Sequence, residues 1–294
     1  MTEVNYFSIG QGIARGDERY VMSRTELLAF HHCPDAWYRG RKFEGNQSTE
    51  FGSLVDTLLL TPQEFEKRYV IKPLTYPSPT KSDPNAMKAW NANSRTCKAF
   101  IQEAKREGKT VISEYDRREA LSAVDVILKN EEARSIVSSA DKQVVCRWDY
   151  VDRATGITVP MKCMLDLVGR DHKFLGDFKT CRNGDLDGFR KSGRALRYDV
   201  QVSLYAWGYR ENYEDRDTWV FVCAENTKPY PVSKFITSAS KCDETGRTGK
   251  DTKYGRIPGY EEMLRHYCHC LRTQKWPSYT SPTGDSVIPL EFFF

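Results

Sequence analysis

At 294 residues the chain is long enough to bury a substantial core, which suits one elaborated domain or two small ones. Its 44 basic and 40 acidic residues leave a net charge of only +4, so no global field serves a polyanionic partner and any nucleic-acid surface must be a local cluster. No apolar run approaches the roughly 20 residues needed to cross a bilayer, which excludes a membrane span.

Residues 1–20 read as a loosely ordered leader. Their opening, MTEVNYFSIGQG, has no basic region followed by an apolar stretch, so a cytoplasmic setting is expected. Ser23 and Glu26 form a capping-box pattern ahead of LLAF, predicting a helix that ends at Cys33-Pro34. DAWYRGRKF reads as a second short amphipathic piece, and GSLVDTLLL as a helix stopped near Pro62. Residues 73–84 hold four prolines and predict a loop. From Met87 to Ser139 the pattern is helical, first to Gly108 and then through EYDRREALSAVDVILKN, with apolar residues at 121, 124, 127 and 128.

Strands follow. VVCRWDYV, TVPMKCMLDLVG and KFLGDFKT are rich in β-branched and aromatic residues and predict an antiparallel three-stranded meander. YDVQVSLYAWGYREN predicts a helix, DTWVFVCAEN and YPVSKFIT two more strands, and GYEEMLRHYCHCLRTQ a last helix. Between these, SKCDETGRTGKDTKYGR has almost no apolar residue and predicts an exposed loop. The sum is a single α/β domain over 21–294, a mixed β-sheet flanked by helices. Its parts are a helical stretch (21–139), a sheet core (140–240), a loop (240–257) and a C-terminal helix and tail (258–294).

The chemistry lies in the meander. Asp166 falls late in one strand and Asp177 early in the next, so a hairpin through RDHK brings both carboxylates to one end of the sheet. Lys179, two residues after Asp177, shares its face, while Phe178 points into the opposite layer with its carbonyl a possible third ligand. Hard oxygen donors of this kind suit Mg2+ or Mn2+ in phosphodiester hydrolysis. Taken alone, the D-x-K pair equally describes a salt bridge on an exposed strand face.

The neighbouring blocks are more specific. SRTELLAFHHCPDAWYRG, FGSLVDTLLLTPQEF, GKTVIS, KCMLDLVG, LGDFKTC, YDVQVSLYAWGY and WPSY occur in that order over about residues 20–280. In this order they resemble the RecB-like and RecE-like branch of the PD-(D/E)xK nuclease superfamily, whose restriction-endonuclease-like core agrees with the expected fold. The resemblance implies a Mg2+-dependent exonuclease (Mn2+ substituting) that digests linear double-stranded DNA from 5′ to 3′ and leaves 3′ overhangs for recombination. It also implies a ring-shaped homo-oligomer and a single-strand annealing protein as partner.

Residue by residue, Asp166, Asp177 and Lys179 match the family's two acids and lysine, and Leu165 replaces its usual proline. Gln201 and Tyr205 match a Gln-x-x-x-Tyr signature, sharing one helix face at i and i+4. Asp56 stands where the family's G-x-x-x-H motif has histidine and is expected as a further metal ligand; the competing reading is a solvated helix face. An acid that relatives supply on the first strand falls near Gln143, which bears on whether a second metal is held.

Arg190, Lys191, Arg194 and Arg197 crowd the segment before the Gln201 helix and are expected to contact phosphates as a group; Lys250, Lys253 and Arg256 are a weaker cluster. His266, Cys268, His269 and Cys270 have no C-x-x-C pair to complete a zinc site, and the nine irregularly spaced cysteines predict reduced thiols. Two rival functions remain: an endonuclease or structure-selective nuclease on the same core, and a DNA-end-binding protein with impaired catalysis.

Overall fold

The computed structural model describes residues 6–41, 47–253 and 255–279. Ser23 accepts a hydrogen bond from the Glu26 amide at 3.4 Å and opens α1 (Arg24–His32), as its capping pattern predicts. Pro34 begins α2 (Pro34–Tyr38), a position where its missing N–H is harmless. Next come α3 (Gln47–Leu60), the one-turn α4 (Phe65–Arg68) and β1 (Tyr69–Ile71).

The proline-bearing segment expected as a loop instead contains β2 (Thr75–Pro77), which pairs with β3 (Met87–Ala89). Proline is tolerated in such a two-stranded ribbon because both strands are edges. Met87–Ala89 is thereby lost from the expected helix, which starts only at the Ser94 cap as α5 (Arg95–Arg106). β4 (Thr110–Ile112), α6 (Glu114–Lys129) and α7 (Glu131–Ser138) follow. In α6 the buried stripe is Ala120, Ala123 and Ile127, while Leu121 and Leu128 stay 41% and 39% exposed. The expected stripe through 121, 124, 127 and 128 holds at Ile127 and fails at Leu121 and Leu128, with Ala120 and Ala123 buried beside Ile127 in this helix, which packs on α3.

The meander forms as expected: β5 (Ala140–Val151), β6 (Thr158–Gly169) and β7 (Phe174–Cys181) are antiparallel neighbours. After β7 come α8 (Leu186–Ala195), where a charged turn was the competing reading, and α9 (Tyr198–Asn212). β8 (Thr218–Glu225) and β9 (Val232–Ser238) complete a five-stranded mixed sheet in the order β5-β6-β7-β8-β9.

The expected exposed loop is largely structured, as α10 (Ala239–Gly246) and a hairpin of β10 (Lys250–Thr252) and β11 (Gly255–Ile257). Polar links replace apolar burial there. Arg247 and Arg256 reach Glu261 and Glu262 of α11 (Tyr260–Thr273), and Ser203 of α9 bonds Asp243. No helix among the described residues is long and apolar enough to cross a membrane.

The chain divides into two compact units. The first comprises residues 1–44, 135–223 and 233–294. Its core gathers Leu27, Phe30 and Trp37 with sheet residues such as Cys163, Leu165 and Leu175, and with Leu204 and Tyr267 from helices. Residues 6–20, expected to be loose, are fastened to this unit: Arg15 Nη1 donates to Trp37 O at 2.6 Å, and Lys162 Nζ to Ile9 O at 2.8 Å. The second unit, residues 45–134 and 224–232, packs α3 on α6 and pairs β1 with β4 in parallel.

α9 lies against β5 and β6 through a glycine. A Cβ on Gly208 would come within 2.4 Å of the Trp148 ring, so only glycine lets the helix approach this closely. Gly208→Ala is therefore expected to destabilise the first unit by roughly 1–3 kcal/mol through overpacking, measured as a lower urea midpoint with unchanged slope.

Candidate active site

The register of β6 on β7 pairs Val168 with Leu175 and Leu167 with Gly176. One residue further along, Asp166 stands opposite Asp177, and side chains opposite one another in an antiparallel pair share a face. There the ladder gives way to a side-chain bond, with the Phe178 amide donating to Asp166 Oδ2 at 3.1 Å. On the other side of β6, Lys142 pairs with Leu167 and Val144 with Leu165, leaving Gln143 opposite Asp166. Gln143 adopts a left-handed φ of 53°, uncommon for a side-chain-bearing residue inside a strand. Gln143, Asp166 and Asp177 thus form a row across three strands.

Asp177 is only 3% exposed. Lys179 forms an ion pair with its Oδ2, and Gln201 Nε2 of α9 donates to its Oδ1 at 2.6 Å. The Lys179 ammonium also lies 5.4 Å from the Tyr198 ring centroid, within cation–π range. Burial acts to lower the lysine pKa, but Asp177, Asp166 and Tyr198 outweigh it and raise the value above 10.5. Lys179 is therefore a fixed cation at neutral pH.

Gln201 and Tyr205 share a face of α9 as their spacing predicts. Burial pushes the Tyr205 phenol well above its ordinary pKa, with Cys163, Tyr6 and Asp177 adding to the shift, so the hydroxyl keeps its proton. The buried Gln201 Oε1 accepts no hydrogen bond among the described residues. Buried oxygens without donors are costly and mark where a further ligand fits. Two carboxylates and a main-chain carbonyl at Phe178 are the hard-oxygen set that a small divalent cation takes. Among the described residues no three His, Cys, Asp or Glu side chains are grouped to hold a metal ion, so acidic donors here number two.

The other predicted residues separate. Phe178 is buried on the opposite face, as alternation requires. Arg190, Lys191 and Arg194 are exposed on α8, whereas Phe189 turns into the core. Arg197 differs: its guanidinium holds Asp199 through two bonds of 3.0 Å and Pro258 O through a third. It braces the start of α9 and is not an open phosphate contact. Asp56 belongs to the second unit, half-buried on α3. In the weaker basic cluster, Arg256 is tied to Glu262 and Asp251.

Sequence reasoning missed Arg24. It is the first residue of α1, and its Nη2 donates to the carbonyls of Leu196 and Arg197 at the corner between α8 and α9. Burial lowers its pKa, opposed by Tyr205 and Asp177, which places it electrostatically beside the site. A signal was available: a cation in the first turn of a helix opposes the helix dipole and calls for a reason.

The model of a PDDEXK-like domain of unknown function, DUF3799, matches residues 22–283. No curated protein matches the chain. Among solved structures, a candidate exonuclease from Eubacterium rectale is 12% identical with a TM-score of 0.58, over 100% of this chain and 97% of that one. A phage-related exonuclease from Haemophilus somnus 129PT is 11% identical with a TM-score of 0.32, over 75% of this chain and 95% of that one. The family match bears out the PD-(D/E)xK resemblance, and the first structure agrees with the mixed-sheet core.

Proposed function

Because the chain belongs to the DUF3799 family of PDDEXK-like domains, we propose that it is a metal-dependent exonuclease acting on the ends of linear double-stranded DNA. The observation that carries this reading is the row of Asp166 opposite Asp177, with Lys179 and Gln201 both engaged on Asp177. Cutting from 5′ to 3′, leaving 3′ overhangs for recombination, assembling as a ring and working with a single-strand annealing protein are proposed from the RecE-like resemblance.

Asp166, Asp177 and the Phe178 carbonyl would hold Mg2+, with Mn2+ able to substitute. The ion when bound offsets phosphoryl charge and lowers the pKa of the attacking water. Lys179, protonated and already oriented, stabilises charge that grows on the phosphoryl oxygens without reorganising. The Gln201 amide fixes Asp177, and its donor-free Oε1 is an acceptor for the attacking water. Tyr205 stays protonated as a hydrogen-bond donor, and Arg190, Lys191 and Arg194 hold backbone phosphates from one exposed helix face.

Asp56 is proposed as a further ligand from its motif. Asp56→Asn is expected to raise the Mg2+ concentration for half-maximal rate about tenfold or more. An unchanged metal requirement removes it from the ligand set. The test of the function is digestion of matched linear and covalently closed circular duplexes with Mg2+. Loss of the linear form alone is expected, and cutting of the closed circle would favour the endonuclease. Gln143, opposite Asp166 where relatives supply an acid, favours the other rival. Binding of duplex ends without any digestion in Mg2+ or Mn2+ would make the chain an end-binding protein.

A further inference from the structure

Among the described residues Arg24 has no carboxylate partner. Its bonds to protein run from Nη2 to the carbonyls of Leu196 and Arg197, groups that orient a guanidinium but do not neutralise it. Its Nε is buried and donates to nothing. Such a group normally lies against a carboxylate, because a desolvated charge and an idle N–H are both costly. The nearby acids are already engaged: Asp177 holds Lys179 and Gln201, and Asp199 holds Arg197.

A guanidinium with a free N–H edge, fixed by two main-chain carbonyls and lacking a counter-ion, is built for a planar or tetrahedral oxyanion. Resting on the nuclease reading, we propose that Arg24 is a phosphate-binding residue that takes a backbone phosphate of the DNA strand being cut.

Two consequences distinguish this from a brace at the α8–α9 corner. A phosphate contact releases a counterion, so its loss reduces the slope of log affinity against log salt by about 0.9. A brace changes stability and leaves that slope alone. Lysine keeps the charge at this position and glutamine removes it.

The experiment is fluorescence anisotropy of a short duplex, with Ca2+ in place of Mg2+, over a salt series, for wild type, Arg24→Lys and Arg24→Gln. Thermal melting of each protein checks that it is folded. Arg24→Gln is expected to bind at least tenfold more weakly with the slope lower by about one, and Arg24→Lys to keep the wild-type slope. An unchanged slope in folded Arg24→Gln overturns the phosphate site, as does absence of duplex binding by the wild type. Should Arg24→Gln fail to fold, a lower slope in Arg24→Met supports the proposal and an unchanged one overturns it. The salt slope does not depend on turnover. A slope difference without hydrolysis in Mg2+ or Mn2+ defeats the nuclease reading alone, and hydrolysis with equal slopes defeats the phosphate site alone.

Discussion

Lys179→Ala is expected to reduce cleavage of linear duplex DNA by roughly 100- to 1,000-fold while duplex-end binding in Ca2+ changes only a few-fold. That range is typical for losing one preorganised group that stabilises transition-state charge. The lysine is preorganised because Asp177 and the Tyr198 face hold it and its pKa is raised, so it delivers a full charge throughout the neutral range. Asp177→Asn is expected to lose at least as much, since it removes a candidate metal ligand and the lysine's partner together. Lys129→Ala, altering an exposed helix pair with Asp125, serves as the control with no expected effect. A Lys179→Ala rate within tenfold of wild type would make the D-x-K pair an ordinary salt bridge.

The second large effect is on stability. Lys179→Met leaves the nearly inaccessible Asp177 carboxylate with Gln201 as its one partner among the described residues. Breaking a buried pair from one side costs about 3–5 kcal/mol, whereas neutralising both members costs far less. The double variant Asp177→Asn/Lys179→Met should therefore be more stable than Lys179→Met alone, as measured by urea unfolding. Its asparagine still accepts the Gln201 hydrogen bond.

The pH dependence has a definite sign. The folded-state pKa of Lys179 is raised, so its contribution is complete below the ordinary lysine value of 10.5 and is lost only as pH rises through the folded value. The gap between wild type and Lys179→Met should stay flat from about pH 6 to 9 and narrow in stronger alkali. A gap that closes near neutrality would mean that the lysine titrates there.

The elements read most directly from sequence are those whose pattern matches their environment. β6 alternates buried and half-buried residues from Val159 to Leu167, so the inward face of Leu165 follows from period two. α9 begins and ends at the predicted residues, and Gln201 meets Asp177. What escaped depends on contacts with no local signature. α10 is apolar-poor and is tied down by pairs from distant helices. The β2–β3 ribbon accommodates proline at its edges.

The site divides in the same way. Asp166, Asp177 and Lys179 needed only a hairpin and strand alternation. The exact opposition of Gln143 to Asp166, with the left-handed backbone there, needed the three-strand register. Arg197 looked like its basic neighbours in sequence, and only the fold assigns it to Asp199 and Pro258. Arg24 was hidden inside a helix start whose cap is ordinary.

The most direct test of the central claim, that Asp166 and Asp177 form a metal-dependent nuclease centre, is anomalous diffraction from crystals soaked in Mn2+. The predicted result is an ion held by both carboxylates and the Phe178 carbonyl, lost in Asp177→Asn. Manganese bound elsewhere, with both aspartates untouched at saturating metal, would contradict it.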